Sequence, residues 1–225
     1  MTAAVDDGEL VAAALACRRG ERLVFCRLGF VLGAGGGLLL TGANGSGKSS
    51  LLRVLASLLA PAAGAVSWGG VPVDRDLAGY RARLHYVGHR DATKPAMRVR
   101  ETLAFWSEMR RGDAARIDPA LATMGLDGLG DWPCRWLSAG QRHRLALARL
   151  LAAPAPLWLL DEPTAALDAD GEQRLLSAIR GHRAAGGRVV IATHQNLPLD
   201  GVDTLSLDDF AALARAEADP FAAGF

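Results

Sequence analysis

The sequence predicts an α/β protein built around a phosphate-binding loop, with an antiparallel β part near the N-terminus and a helical insertion between two halves of a sheet. Three observations carry this. TGANGSGKSS at 41–50 lies between a short apolar strand, GGGLLLTG, and a leucine-periodic helix, SSLLRVLASLL, which is the setting a G-x-x-x-x-G-K-[ST] loop needs. PLWLLDEP at 156–163 reads as a buried strand ending in two carboxylates. From 91 to 150 the pattern turns helical, in RETLAFWSEMRR, PALATM and SAGQRHRLALARLLAA, with turns at GLDGLGDWP.

The remaining elements follow in chain order. ERLVFCRLGFVL mixes β-branched, aromatic and leucine residues and predicts early strand structure. PAAG ends the helix after the loop, and AVSWGGVPV predicts a hairpin around Gly69-Gly70. LHYVGH is another buried strand. DGEQRLLSAIRGHRAAG is an amphipathic helix stopped by Gly186-Gly187, RVVIATHQ a further strand, and TLSLDDF a late strand entering a short last helix. The expected organisation is one domain over 1–225, with 1–90 and 151–225 forming the core and 91–150 the helical subdomain.

Composition narrows the function. The 225 residues suffice for a sizeable core, and a net charge of +1 makes no case for a nucleic-acid partner. Cys17, Cys26 and Cys134 lack CxxC spacing, so reduced thiols are expected rather than a metal site or a disulfide framework. The N-terminus begins acidic, without the basic and apolar regions of a secretory signal. No apolar run reaches the roughly 18 residues of a membrane span, so action at a membrane would need a partner. Arginine supplies every basic residue except Lys48 and Lys94. Lys48 sits inside the phosphate loop, where a point charge on a flexible stem suits a phosphate.

The chemistry of the motifs is specific. In Gly42, Ala43, Asn44, Gly45, Ser46, Gly47, Lys48, Ser49 and Ser50 the glycines turn backbone N–H groups inward as an anion nest, and the next helix adds its positive end. Lys48 is expected on the β- and γ-phosphates and Ser49 on Mg²⁺. Asp161 is expected to hold that Mg²⁺, directly or through water, and Glu162 to orient or deprotonate an attacking water. Leu137, Ser138, Ala139, Gly140 and Gln141 form LSAGQ, where Ser138 opens a helix and Gly140 leaves its N–H open to an anion. His194 closes the strand VVIAT.

Together, LSAGQ shortly before an apolar strand ending in Asp-Glu, a phosphate loop upstream and a late histidine resemble the nucleotide-binding subunit of ABC transporters over essentially the whole chain. The resemblance implies a P-loop NTPase (ABC ATPase) fold with a RecA-like core sheet. It makes LSAGQ the signature motif, Ala166, Leu167 and Asp168 the D-loop, and Glu162 and His194 the catalytic pair. It implies ATP with Mg²⁺ as ligands, and a homodimer in which each site takes its loop and carboxylates from one copy and Ser138 and Gly140 from the other. Two positions depart from the pattern. His89, followed by Arg90, stands where relatives carry the Q-loop glutamine, so its nucleotide-sensing role stays open. ACRRGER lacks the aromatic on which relatives stack adenine, leaving Arg18, Arg19 or Phe25 as alternatives.

The short length, the Gly-His strand end, LSAGQ with RHRLALARL, PLWLLDEP and THQ resemble one branch of that family, the ATPases of the cytochrome c maturation system. This implies a peripheral subunit on the cytoplasmic face of a bacterial inner membrane, paired with a CcmB-like membrane subunit and coupling ATP hydrolysis to haem export or delivery. Haem itself is not expected on this subunit, since no haem-attachment pattern occurs. An ATPase of another small exporter, for a lipoprotein or drug, is the alternative. A repair or ribosomal ABC ATPase would carry a long coiled-coil insertion or a second cassette, and a P-loop kinase or GTPase would leave LSAGQ unexplained.

Overall fold

A computed structural model of the chain describes residues 8–88 and 93–218, with side chains to residue 214. His89 and Arg90 lie outside the described residues. In order, the elements are β1 (Leu10–Arg19), β2 (Arg22–Leu32), β3 (Gly37–Thr41), α1 (Lys48–Leu55), β4 (Ala63–Trp68), β5 (Val71–Pro72), α2 (Leu77–Ala82) and β6 (Leu84–Val87). There follow α3 (Val99–Met109), α4 (Ile117–Thr123), α5 (Ala139–Ala152), β7 (Leu157–Asp161), α6 (Ala169–Ala184), β8 (Arg188–Ala192), β9 (Asp203–Ser206) and α7 (Leu207–Ala218).

The strands form two sheets. One is antiparallel with order β2-β1-β4-β5; the other is parallel with order β6-β7-β8-β3-β9. β1 is a strand that the sequence reading did not anticipate. LVAAALACRR is rich in alanine, which disfavours strands. Its pairing on both edges, with β2 and with β4, overrides that preference.

The inner parallel strands β3, β7 and β8 are near-continuous apolar runs because both of their faces are covered, whereas the edge strand β9 reads DTLS and stays largely exposed. Alternate residues feed two cores. Leu38, Leu40, Leu157, Leu159, Val190 and Ala192 face α1 and the antiparallel sheet, packing with Phe25, Leu28, Leu51, Leu52 and Leu55. Leu39, Trp158, Leu160, Val189 and Ile191 face the other way, onto Leu103, Leu121, Leu145, Leu147, Leu175 and Ile179 of the helices. The run α3–α5 therefore leans on one face of the sheet and shares its core. At roughly 25 cal/mol per Å² of apolar surface, each fully buried leucine here contributes about 2 kcal/mol.

Register sets the site. Leu40 of β3 and Asp161 of β7 both lie beside Ala192 of β8. The three segments that leave the carboxyl ends of β3, β7 and β8 thus emerge side by side, where open α/β sheets hold ligands.

Candidate functional site

The segment after β3 is the phosphate loop. Gly47 caps α1 with φ 112°, and a Cβ there would stand 2.7 Å from Val24 Cγ1 and 3.0 Å from Phe25 Cδ1. Only glycine combines that backbone with that approach. No acidic residue of α1 itself occupies its first turn, so nothing within the helix offsets the positive end of its N-terminal N–H groups. Lys48 is buried and donates to Gly42 O at 2.6 Å and Ala43 O at 3.2 Å. Ser49 Oγ donates to Asp161 Oδ1 at 2.9 Å. Ala43, Asn44 and Gly45 form an exposed rim, while Ser46 is buried with no hydrogen bond to its Oγ.

The segment after β7 supplies the carboxylates. Asp161 is buried as the last residue of its strand, and Glu162 turns out of it with φ 50°, a left-handed conformation costly for a side chain of this size. A bond from Glu162 N to Ala192 O at 2.8 Å fixes the turn. It aims the carboxylate across the cleft, where Glu162 Oε2 meets His194 Nδ1 at 3.0 Å. The structure thus brings the two residues that the sequence left 32 positions apart into contact.

Three contacts beside this pair were missed in the sequence. Thr164 Oγ1 donates to Gln195 Oε1 at 3.1 Å, and Gln195 N donates to Thr193 Oγ1 at 3.0 Å, tying the loop after Glu162 to the loop that carries His194. His143 of α5 is buried with Nε2 2.8 Å from Pro163 O, joining the helix to the same loop. The signal for Gln195 was its place next to His194. His143 had none beyond its apolar neighbours in RHRLAL.

LSAGQ is folded locally. Ser138 is the N-cap of α5: its Oγ accepts from Gln141 N at 3.1 Å, and Gln141 Oε1 accepts from Ser138 N at 2.8 Å, a reciprocal capping box. Leu137 is buried, Ser138 and Ala139 are exposed, and a Cβ at Gly140 would stand 2.8 Å from Ala166 O. Ala166 has φ 63°, Leu167 follows it, and Asp168 caps α6 by accepting from Gly171 N at 2.9 Å. The signature segment therefore packs against the segment 166–168 of its own chain.

A cleft of about 390 Å³ lies over the phosphate loop, lined by Arg19, Arg22 and Val24 of the antiparallel sheet together with Asn44, Gly45, Gly47, Lys48, Ser49, Ser50 and Glu162. Residues 137–141 are not among its walls. Of the three alternatives for a base contact, Phe25 is removed: it is fully buried beneath Gly47. Arg18 donates to Glu21 O at 3.3 Å, and Arg19 faces Arg22 across the β1–β2 turn.

The donor set suits a magnesium nucleotide. A hydroxyl and a carboxylate meet at one point in Ser49 and Asp161, both hard oxygen ligands. A cation that keeps several waters needs few protein ligands, and the described residues hold no cluster of three His, Cys, Asp or Glu.

A phosphate nest, paired carboxylates and a capped signature helix on this two-sheet frame define an ABC-type ATPase, and the family described as ABC transporter matches residues 26–165. Solved structures share the fold. A putative ABC transporter ATP-binding protein from Pyrococcus furiosus superposes with TM-score 0.80 at 22% identity, over 90% of this chain and 98% of its own. An ATP-binding subunit of an ABC transporter superposes with TM-score 0.76 at 24% identity, over 82% of this chain and 79% of its own. Curated relatives are nearer. The cytochrome c biogenesis ATP-binding export protein CcmA of Rhodospirillum rubrum is 54% identical over 88% of this chain and 84% of its own length. That of Paramagnetospirillum magneticum is 51% identical over 92% and 97%. The chain belongs to the ABC transporter family and, within it, to this group of cytochrome c biogenesis ATP-binding export proteins.

Proposed function

We propose that this chain is the ATP-hydrolysing subunit of a transporter for c-type cytochrome biogenesis, coupling turnover to haem export or delivery through a CcmB-like membrane subunit. The observation that carries the ATPase reading is the Glu162–His194 contact at 3.0 Å, beside the Lys48 nest and the Ser49–Asp161 pair. The cytochrome assignment rests on the relatives' names and on the branch features of the sequence.

In this reading Lys48 leaves the carbonyls of Gly42 and Ala43 for the β- and γ-phosphates. Ser49 and Asp161 would hold Mg²⁺, which would supply charge neutralisation of the phosphates. Glu162 takes or orients the proton of the attacking water, and His194 holds that carboxylate and reaches the γ-phosphate. Arg19 and Arg22 offer planar guanidinium faces to the base. Stacking on a cation reads no hydrogen-bond edge, so discrimination between ATP and GTP should be loose. Ser138 and Gly140 act in trans, from a second copy closing over the γ-phosphate, with 166–168 at the seam. Residues 91–150 act as the helical subdomain that passes closure to the membrane partner. No helix among the described residues is long and apolar enough to cross a membrane, and in this reading the chain is a peripheral subunit at the cytoplasmic face of the inner membrane.

Deleting the gene and staining membranes for covalent haem tests the biological assignment. c-Type cytochromes should disappear and return with the wild-type gene but not with the Glu162→Gln variant. Undiminished haem staining would overturn it.

A further inference from the structure

We infer that Asp208, on the first turn of α7, is a positioning residue for the phosphate loop, working through the peptide bond between Gly42 and Ala43. Ala43 N donates to Asp208 Oδ1 and Oδ2, both at 3.1 Å, from a residue 165 positions away. The oxygen of the same peptide unit, Gly42 O, accepts from Lys48 Nζ at 2.6 Å.

A trans peptide points its C=O and N–H in opposite directions. One peptide plane is therefore held at both ends, by a cation on its oxygen and by an anion on its hydrogen. Charge-assisted hydrogen bonds are about twice as strong as neutral ones, so this pair fixes the plane's rotation more firmly than the backbone alone could. Gly42 is what admits the carboxylate. Its φ is 130°, and a Cβ there would stand 3.1 Å from Asp208 Oδ1 and 2.9 Å from Ser46 Oγ.

The two holds do not last equally through turnover. On the proposed function, on which this inference rests, Lys48 leaves Gly42 O for the phosphates. The Asp208 bond then remains to keep the plane from rotating, so the nest stays formed while its lysine is engaged elsewhere. A carboxylate near a phosphate site also carries a repulsive cost. The arrangement therefore favours orientation of the loop over local positive charge, and the two contributions separate on substitution. Asp208→Asn keeps an oxygen acceptor and removes the charge, whereas Asp208→Ala removes both. Asp209 has the same charge in the same turn and makes a matched control for helix-end electrostatics.

The test is titration of each purified full-length protein with a fluorescent ATP analogue and Mg²⁺, alongside steady-state ATPase and thermal melts. Asp208→Ala should raise Kd and KM about tenfold, the loss of one charge-assisted hydrogen bond, with kcat changed less than twofold. Asp208→Asn should restore Kd to the wild-type value or below it, and Asp209→Ala should match wild type in all three measurements. An Asp208→Ala protein that melts like wild type and binds equally well would overturn the inference. So would an Asn variant as weak as the Ala variant, since an oxygen acceptor for Ala43 N would then contribute nothing to nucleotide binding. If the wild-type protein itself bound no nucleotide, the proposed function would fail instead, so the two failures are distinguishable.

Discussion

The phosphate-loop region and the signature region use hydrogen bonds differently. Around the loop, bonds cross long stretches of sequence: Ser49 to Asp161, His194 to Glu162, Ala43 to Asp208. Each forms only when the whole sheet is assembled. At LSAGQ the bonds are local, Ser138 with Gln141 and back, and the exposed helix start borders no wall of the nucleotide cleft. The first region is a site that the chain completes by folding. The second is closed on itself at the start of α5 and packs against 166–168 rather than lining the cleft.

Breaking the first region has the largest expected effect. Glu162→Gln removes the proposed base and leaves the nest intact, so kcat should fall on the order of a hundredfold to ten-thousandfold while nucleotide affinity holds. Single-turnover hydrolysis beside equilibrium binding checks this. A variant that hydrolysed ATP at the native rate would remove Glu162 from the chemistry.

The second region breaks differently. Ser138→Asp keeps a good N-cap yet sets a carboxylate where a partner's γ-phosphate would come. Turnover should be lost while a dilute chain still binds nucleotide. Mixed equally with Lys48→Ala, it should regain about a quarter of wild-type activity, because random pairing in a two-fold dimer restores one composite site in half of the dimers. A silent mixture would mean that the signature segment does not act in trans.

That contrast also accounts for what was legible in the sequence. The nest, the strand ending in Asp161 and Glu162, and the helix opened by Ser138 are local patterns, and each reads from fewer than about ten residues. What was missed is non-local. β1 is a strand because two neighbours pair with it, although its alanines point elsewhere. Gln195, His143 and Asp208 act through partners 31, 20 and 165 residues away. Phe25, an alternative for the base contact, is aromatic in the right neighbourhood but lies inside the core, a distinction that only packing makes.

A smaller effect is expected at the rim. Arg19→Ala should raise the KM for ATP and GTP alike, by about threefold to tenfold, the worth of one exposed guanidinium stack. Parallel rate measurements with both nucleotides would show it. A selective loss of ATP alone would mean that Arg19 reads the base edge.

The smallest effect at neutral pH concerns how the two regions are joined. His143 fastens the start of α5 to Pro163, and His85 of β6 fastens its end, with Nε2 2.5 Å from Ala153 O. Burial, with the nearby guanidinium of Arg110, lowers the His85 pKa to about 3. His182, stacked on Trp158 at 3.9 Å between ring centroids, is lowered by burial to about 4. Unfolded, both imidazoles take a proton near pH 6.5. Between there and pH 4 the unfolded chain binds more protons than the folded one, so stability is full above about pH 6.5 and falls as the pH drops. Urea midpoints should decline from pH 7 to pH 5 by an amount worth a few kcal/mol. His85→Gln, which keeps an N–H donor without the titration, should flatten part of that slope. An unchanged slope in this variant would mean that the end of α5 is held by something other than a neutral imidazole.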